Sequence, residues 1–501
     1  MNEKFKQLQK WLDKQYALQT ALILLDWDNS TEAPKAAIDN TSKAISILAS
    51  EAYTATINDE VRSLLEELKQ ASDLTDFEAG VVKELSKDYD ELSSIPQEEY
   101  TQYSQLLAKS PSIWTKARSE NDFSQFAPTL EQLIKYTKQF AAYMQADGRQ
   151  DQALYDIQLN KYEEGFNMEI LDDFFARLRS EIVPLLQQII KKNDTINKDF
   201  NSRSYPIESQ RAFNKMLAEH IGFDFQRGVI KESVHPFTTN LHNKDVRITT
   251  AYHENNLESA MFSTIHEGGH ALYEMHIDDA YTCSPVGGGA SMGMHESQSR
   301  LFENNLGRSR QFWLPLWDRL KETYPTQLED ISLEDFIRGI NKSQPGLIRT
   351  EADELTYCLH IMMRYEIEKM IFSEDIAVDR LPQIWNDKYE EYLGIRPDSD
   401  RDGILQDIHW ANGSFGYFPS YAIGSAVAAQ IYVHLKKVMD LDALLSEGNF
   451  DPINEYLRQN VHRFGKLKNT NQVLMDLTGE SFNPEYYIHY LKEKYTALYN
   501  L

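Results

Sequence analysis

Glycine and proline, the residues that most often interrupt regular structure, are scarce in this chain. It contains 22 Gly and 16 Pro among 501 residues, below the roughly 12% combined share of average proteins. Only Gly80, Gly148 and Gly165 fall within residues 1–200. So few interruptions over so long a stretch predict long helices, and the fold class expected is mostly α.

Helical patterns are clear in the N-terminal part. From Pro128, apolar residues recur at helical spacing; they are Leu130, Leu133, Ile134, Phe140, Ala141 and Met144. Pro96, followed by acidic residues, predicts another helix start. Because the sequence contains no repeat or linker, we expect a single domain over residues 1–501. Its helical part covers about 1–200, and the part with the functional site covers about 201–501.

Two short stretches depart from the helical pattern. Residues 245–252 alternate between apolar or β-branched residues and others, which predicts a strand. Residues 281–293 contain one Pro and three consecutive Gly, which predicts a loop.

The charge and the cysteines exclude several classes of protein. With 77 acidic residues against 51 Lys and Arg, the net charge is −26, which disfavours nucleic acid and anionic membranes as partners. Cys283 and Cys358 are the only cysteines, so we expect buried small side chains rather than a disulfide framework. With no signal-like or membrane-spanning apolar stretch, these features predict a cytoplasmic protein.

The chemistry is concentrated in an HExxH motif formed by His266, Glu267 and His270. At 3.6 residues per turn, the two histidines share one helix face and can hold one zinc ion, while Glu267 can act as general base. Chance alone gives about 0.03 such matches in a chain of this composition. Gly268 and Gly269 each lower the helix propensity by about 1 kcal/mol relative to Ala. Close packing or substrate approach would be a reason for small residues there.

A third metal ligand is needed, and three positions are candidates for it. His276 has the metzincin spacing, but Tyr273 stands where that class needs Gly for a sharp turn. We therefore interpret His276 as an ordinary residue on the helix surface. The glycine loop lets a second helix start near Ala290, from which Glu296 can complete a His-His-Glu site. His295 is the local rival, and spacing leaves both open.

The chain resembles a known family at many points. The matching segments are 25–34 (LDWDNSTEAP), 235–237 (HPF), 245–249 (DVRIT), 266–270 (HEGGH), 295–299 (HESQS), 348–353 (IRTEAD) and 403–410 (GILQDIHW). In this order they resemble the signature segments of the carboxypeptidase Taq family of zinc metallocarboxypeptidases. The resemblance extends over nearly the whole chain.

The resemblance implies a fold and an activity. The expected fold is a helical, two-lobed body around a deep groove with a small β-sheet, akin to angiotensin-converting enzyme and neurolysin, and commonly homodimeric. The expected activity is removal of single C-terminal residues from short peptides. It uses one Zn²⁺ per chain, for which Co²⁺ is expected to substitute, with Glu296 as third ligand.

Four further residues are candidates for substrate binding. Arg349 resembles a family position and suits a substrate α-carboxylate, because a guanidinium binds carboxylates bidentately. The alternative is a plain i, i+4 ion pair with Asp353. Arg247 on the predicted strand lines the groove or binds substrate, and His235 contacts substrate or caps a loop. Tyr417 belongs to the aromatic segment described next.

The aromatic, glycine-rich segment 409–421 resembles one that lies over the metal in neurolysin-like proteins. His409 and Tyr421, and less strongly Tyr417, are the expected equivalents that stabilise the oxyanion. The alternative is an aromatic core cluster.

Three functions remain open at this stage. The first is the metallocarboxypeptidase. The second is an oligopeptidase or peptidyl-dipeptidase on the same fold, and the third is a non-catalytic helical binding protein that retains HEGGH for structural reasons.

Overall fold

Long helices make up most of the structure, a computed structural model that describes residues 2–192, 195–374 and 376–501. The helices of the N-terminal part are α1 (Glu3–Thr31), α2 (Ile38–Thr56), α3 (Asp59–Lys69), α4 (Asp76–Ser93), α5 (Gln97–Glu120), α6 (Ala127–Ala146), α7 (Leu154–Tyr162), α8 (Met168–Ile190) and α9 (Ile207–Ile221). The first central helices are α10 (Leu257–Met275) and α11 (Met292–Arg300), which continues as a π-helical turn (Leu301–Leu306). Short helices follow at α12 (Arg310–Trp313), α13 (Trp317–Thr323) and α14 (Leu333–Ile340). The remaining helices are α15 (Glu354–Ser373), α16 (Leu381–Leu393), α17 (Pro419–Val438), α18 (Leu441–Glu447), α19 (Asp451–Asn460), α20 (Thr470–Thr478) and α21 (Glu485–Tyr499).

The two helices predicted in the N-terminal part are confirmed. Helix α5 begins directly after Pro96, whose missing N–H costs nothing at a helix start. Helix α6 begins one residue before Pro128, and it buries the whole predicted apolar set. The predicted mostly helical fold is therefore confirmed.

One small sheet lies among the helices. It contains β1 (Gly228–Glu232), β2 (Thr238–His242) and β3 (Asp245–Thr250), in the order β1-β3-β2. Strand β3 pairs parallel with β1 and antiparallel with β2. Val246 and Ile248 of β3 pack against Ala271 and Met275 of α10. The sheet is therefore fixed against the helix that carries the HExxH motif. The predicted strand at 245–252 is confirmed, although it ends at Thr250.

Glycines allow three central helices to approach closely. A Cβ atom on Gly269 of α10 would lie 2.6 Å from the Gln298 carbonyl oxygen and 2.8 Å from the Ser299 Cα atom, both in α11. A Cβ atom on Gly424 of α17 would lie 2.6 Å from Cβ of Glu296 in α11. Close packing is therefore the reason for a residue of poor helix propensity at Gly269.

The interior contains a large core and a separate N-terminal one. The large core contains buried side chains from Ala117 to Tyr499. The N-terminal core lies between α1, α3 and α4, and Val286 of the glycine-rich loop is buried within it. The division at about residue 200 within a single domain stays a prediction. Among the described residues, no helix combines the length and the hydropathy needed to cross a membrane.

Two predictions of the sequence are wrong. His276 is not a helix-surface residue, because α10 ends at Met275 and the His276 ring stacks on His462 with centroids 5.2 Å apart. Burial lowers its pKa to about 4. Of the two cysteines, Cys358 is buried as expected, but Cys283 is exposed in the loop before α11.

The contact at Gly269 can be tested by comparing Gly269→Ala with Gly268→Ala. The Gly269 variant pushes a methyl group against backbone atoms, so we expect it to lower the free energy of unfolding by about 1–3 kcal/mol. A methyl group at Gly268 meets only the end of the Ile221 side chain, and the gain of about 1 kcal/mol in helix propensity offsets that contact. Urea denaturation followed by circular dichroism measures both, and equal stabilities would contradict the close-packing argument.

Candidate active site

Two helices bring the three candidate metal ligands together. His266 and His270 lie one turn apart on α10, with ring centroids separated by 5.0 Å. The loop after α10 returns the chain, so that Glu296 of α11 faces both rings. Its Oε2 atom lies 3.7 Å from Nε2 of His266 and 3.4 Å from Nε2 of His270. The ligand atoms of all three residues lie within 4.8 Å of one another.

The other ring nitrogen of each histidine has a partner. Nδ1 of His266 lies 2.8 Å from Oε2 of Glu303. Nδ1 of His270 lies 2.6 Å from Nδ1 of His295, whose Nε2 lies 2.7 Å from Oε1 of Glu274. Because Glu303 accepts a hydrogen bond from Nδ1 of His266, that nitrogen carries the proton. Glu274 accepts from Nε2 of His295, which leaves the Nδ1 lone pair of His295 to accept from Nδ1–H of His270. The Nε2 lone pairs then face Glu296, as metal coordination requires. His295 is thus placed behind His270, outside the three-residue cluster.

The donor set fits a zinc ion. Zinc binds His nitrogen and carboxylate oxygen at about 2.0–2.1 Å, and tetrahedral geometry then separates two donors by about 3.4 Å. The nitrogen-to-oxygen separations of 3.4 and 3.7 Å lie close to this value. Three protein donors leave a fourth position open, which is typical of catalytic rather than structural zinc sites.

Glu296 is held in its ionised form. Its side chain accepts hydrogen bonds from Nε of Arg300 at 2.7 Å and from Oγ of Ser299 at 3.1 Å. Burial by itself would raise the pKa of Glu296, but the charge of Arg300 lowers it well below its usual range. Arg300 also bonds Glu303 and lies 4.3 Å above the Tyr357 ring.

Glu267 is buried beside the cluster, with 7% of its surface exposed. The Thr238 hydroxyl on β2 donates to its Oε2 atom at 2.6 Å. Burial raises the pKa of Glu267, and this hydrogen bond opposes the rise. The carboxylate is therefore fixed in direction and more basic than an exposed one, which suits a general base.

The aromatic segment 409–421 lies at the same site. Tyr417 and Tyr421 line the cavity that contains the cluster, and their rings are 5.2 Å apart. Nε2 of His409 lies 3.0 Å from the Tyr421 hydroxyl. Burial, and then the charge of Arg349, lowers the pKa of His409 to about 3, so the imidazole is neutral. Burial raises the pKa of Tyr421 well above its usual value, which keeps the hydroxyl protonated.

Arg349 does not form the helix ion pair with Asp353 that was considered from the sequence. It lies in a 3-10 turn, and its Nη2 atom is 2.8 Å from Oδ1 of Asp407. Asp353 instead accepts from the first N–H groups of α15. The guanidinium lies 4.9 Å from the centre of the Tyr421 ring and outside the cavity lining. Its binding of substrate stays a prediction.

His235 and Arg247 also lie outside the cavity lining. The His235 carbonyl accepts from the Ser233 hydroxyl at 2.6 Å, which closes the loop before β2. Arg247 binds Asp245 at 2.8 Å and lies 5.6 Å from the centre of the Trp27 ring. The loop at His235 and the contacts of Arg247 therefore stabilise the sheet beside the site. Contact of either residue with substrate stays a prediction.

Several residues at the site were not identified from the sequence. They are Thr238, Glu274, Arg300, Glu303 and Arg308. Glu303 and Arg300 follow Glu296 at i+7 and i+4, so a search along the α11 face would have found them. Thr238 carries no comparable signal, because its contact depends on how the sheet packs on α10.

The cluster opens into a cavity of about 620 Å³, a volume typical of ligand sites. Its wall is formed by α4, α10, α11, β2 and the segments around Tyr162, Tyr417 and Lys466. A buried base, an open ligand position and aromatic hydroxyls therefore face one cavity.

Comparison with known proteins gives the family. The family model described as Carboxypeptidase Taq (M32) metallopeptidase matches residues 7–495. The chain belongs to this family. Among M32 relatives, Carboxypeptidase 1 of Bacillus subtilis is 43% identical over 96% of both chains. Thermostable carboxypeptidase 1 of Pyrococcus furiosus is 36% identical over 99% of both. The crystal structure of an M32 carboxypeptidase from Deinococcus radiodurans superposes with a TM-score of 0.95, at 36% identity over 100% of each chain.

The match to the family model confirms the family expected from the sequence, and the superposition on a solved M32 structure confirms the fold class. The M32 family is a family of metallocarboxypeptidases and this chain belongs to it, so the alternative of a non-catalytic helical binding protein is wrong.

The role of Glu303 can be measured with Glu303→Gln. The variant keeps the size of the side chain but weakens the acceptor that orients His266, so we expect metal affinity to fall about 10–100-fold. Competition for zinc with a fluorescent chelator measures this metal affinity directly. Glu258→Gln is the matched control, because Glu258 also pairs with Arg308 but contacts neither histidine. An unchanged zinc affinity in Glu303→Gln would refute the orienting role.

Proposed function

We propose that this enzyme removes single C-terminal residues from short peptides, with zinc held by His266, His270 and Glu296. The observation that carries the proposal is the placement of Glu267 beside this cluster in one cavity. When bound, zinc polarises the substrate carbonyl and lowers the pKa of an attacking water. Co²⁺ accepts the same donors and is expected to substitute.

Glu267 moves the proton in this reaction. Its carboxylate accepts a proton from the attacking water and later gives it to the leaving amine. Thr238 holds the Oε2 atom, which leaves Oε1 for the water. Because Glu267 is buried, its surroundings screen its charge weakly, and the proton transfer occurs away from bulk solvent.

Tyr421 stabilises the negative charge that develops on the carbonyl oxygen. Nδ1 of His409 is buried without a hydrogen-bond partner among the described residues. A lone pair is better accommodated there than an N–H group, so His409 carries its proton on Nε2 and donates to the Tyr421 oxygen. The Tyr421 hydroxyl proton is then free to bind the oxyanion.

A cytoplasmic location and a homodimer are part of the proposal. Both cysteines are free, which supports a reducing compartment. The family resemblance supports the homodimer.

The activity can be tested with one mid-length peptide in free-acid and C-terminally amidated forms, in the presence of zinc. We expect a ladder of single-residue losses from the free acid alone. Glu267→Gln should lower the rate about 10²–10⁴-fold, because the base is lost, while zinc affinity is retained. Mass spectrometry identifies the products. Internal cuts or losses of dipeptides would assign the enzyme to the oligopeptidase class instead.

The oxyanion role can be tested with Tyr421→Phe. Removal of one donor to the oxyanion should lower kcat about 10²–10³-fold with a small change in KM. Tyr456→Phe is the matched control, because the Tyr456 hydroxyl bonds His434 at 2.8 Å outside the cavity lining. Steady-state kinetics on the free-acid peptide separate the two constants. A rise in KM alone would assign Tyr421 to substrate binding.

A further inference from the structure

The active-site cavity is lined by four lysines and five glutamates. The lysines are Lys83, Lys87, Lys161 and Lys466, and the glutamates are Glu84, Glu164, Glu267, Glu274 and Glu296. The lining thus has an excess of one acid, in a protein whose net charge is −26. A peptide with a free C-terminus brings another negative charge into this space. A side-chain cation without a carboxylate partner of its own is the group best suited to bind this charge.

Three of the four lysines are already paired. Lys83 and Lys87 lie 2.7 and 3.8 Å from the carboxylate of Glu164. Lys161 forms an ion pair with Glu91. Each of these three lysines therefore already has a carboxylate partner, and Lys83 and Lys87 share theirs.

Lys466 differs from the other three. Within the described part of the chain it forms no ion pair within 4.0 Å and no side-chain hydrogen bond. Its charge acts on Asp88 of α4, but without direct contact. Its side chain is exposed and lines the cavity.

The backbone fixes Lys466 at this position. Its N–H donates to the Val286 carbonyl at 3.0 Å. Gly465 has φ of 52°, a conformation that favours glycine, and any Cβ atom there would collide with the same carbonyl oxygen. The segment is therefore held tightly against the glycine-rich loop, and Lys466 is held with it.

The same loop connects Lys466 to the metal cluster. Cε of Lys466 lies 3.8 Å from the position of a Cβ atom on Gly288. The next residue, Gly289, packs against the ring of His295, which bonds His270. The ammonium group thus lies on the side of the cavity formed by the glycine-rich loop. The same loop contacts His295, which bonds the metal ligand His270.

We infer that Lys466 binds a carboxylate of the bound peptide and so determines substrate specificity. This inference rests on the proposed function. The carboxylate is either the C-terminal α-carboxylate or an acidic side chain of the peptide, and both offer the ammonium group the same charge-assisted hydrogen bond. Arg349, the cation expected from the sequence, lies behind Tyr421 and outside the cavity lining, where it shares Asp407 with Arg364.

Lys466→Met tests the inference in zinc-loaded enzyme, with Lys466→Arg as the conservative variant. The probes are two peptides that differ only in having Gln or Glu before the C-terminal residue. Each is used as the free acid and as the amide, which gives four probes. Binding is measured by calorimetry in the Glu267→Gln background, and KM and kcat are measured with Glu267 intact. Lys468→Met is the matched control, because Lys468 is paired with Asp476 at 2.7 Å and does not line the cavity.

We expect Lys466→Met to weaken binding of its target peptides about 10–100-fold, the effect of a lost charged hydrogen bond. KM should rise with kcat nearly constant, and Lys466→Arg should restore part of the affinity. Equal losses for both free acids, with none for the Gln amide, identify the α-carboxylate. Losses confined to the two Glu peptides identify the acidic side chain.

Unchanged affinities in Lys466→Met, or equal losses for the Gln acid and the Gln amide, would overturn the inference. Neither result affects the proposed function, which is tested by the products of the enzyme with Lys466 and Glu267 intact. If that enzyme cleaves none of the peptides, the proposed function fails, while the calorimetric comparison still decides whether Lys466 binds a carboxylate.

Discussion

The geometry of the active site depends on how closely α10 and α11 approach each other. One helix supplies both histidines and the other supplies Glu296, so the distance between ligand atoms is set by the distance between backbones. Gly269 permits this approach on one side of α11, and Gly424 permits it on the other. The helix propensity lost at these glycines, about 1 kcal/mol each, is offset by the contact of α11 with two neighbours.

Burial of charge is the second constraint on the site. Glu267, Glu296 and Glu303 lie close together in little solvent, which would be unfavourable for three carboxylates alone. Arg300 lies between Glu296 and Glu303, and Arg308 lies on the far side of Glu303. Each arginine also stacks on an aromatic ring. The cations thus keep Glu296 and Glu303 ionised, and the rings fix where those cations lie.

The sequence predicted the parts of this site that depend on helical periodicity or on an ordered set of motifs. His266, Glu267 and His270 lie on one helix, so their spacing was sufficient. Glu296 required the resemblance, because spacing left His295 open. The ion pair of Arg349 was not predicted, because its partner, Asp407, is 58 residues away in the chain. Lys466 belongs to no motif, and its place depends on a contact with the loop at Val286. Contacts of this kind depend on tertiary packing, which local patterns do not encode.

The hydrogen bonds behind the two histidines also bear on the entropy of metal binding. The side chains of His266, His270, Glu296, His295 and Glu303 are held by their neighbours before an ion arrives. Their rotamer freedom, roughly 0.5–2 kcal/mol for each such side chain, is therefore lost when the chain folds. Small zinc domains behave differently, because there the ion must order its own ligands and folding fails without it. In this protein, the affinity for the ion reflects the strength of coordination rather than the ordering of the polypeptide.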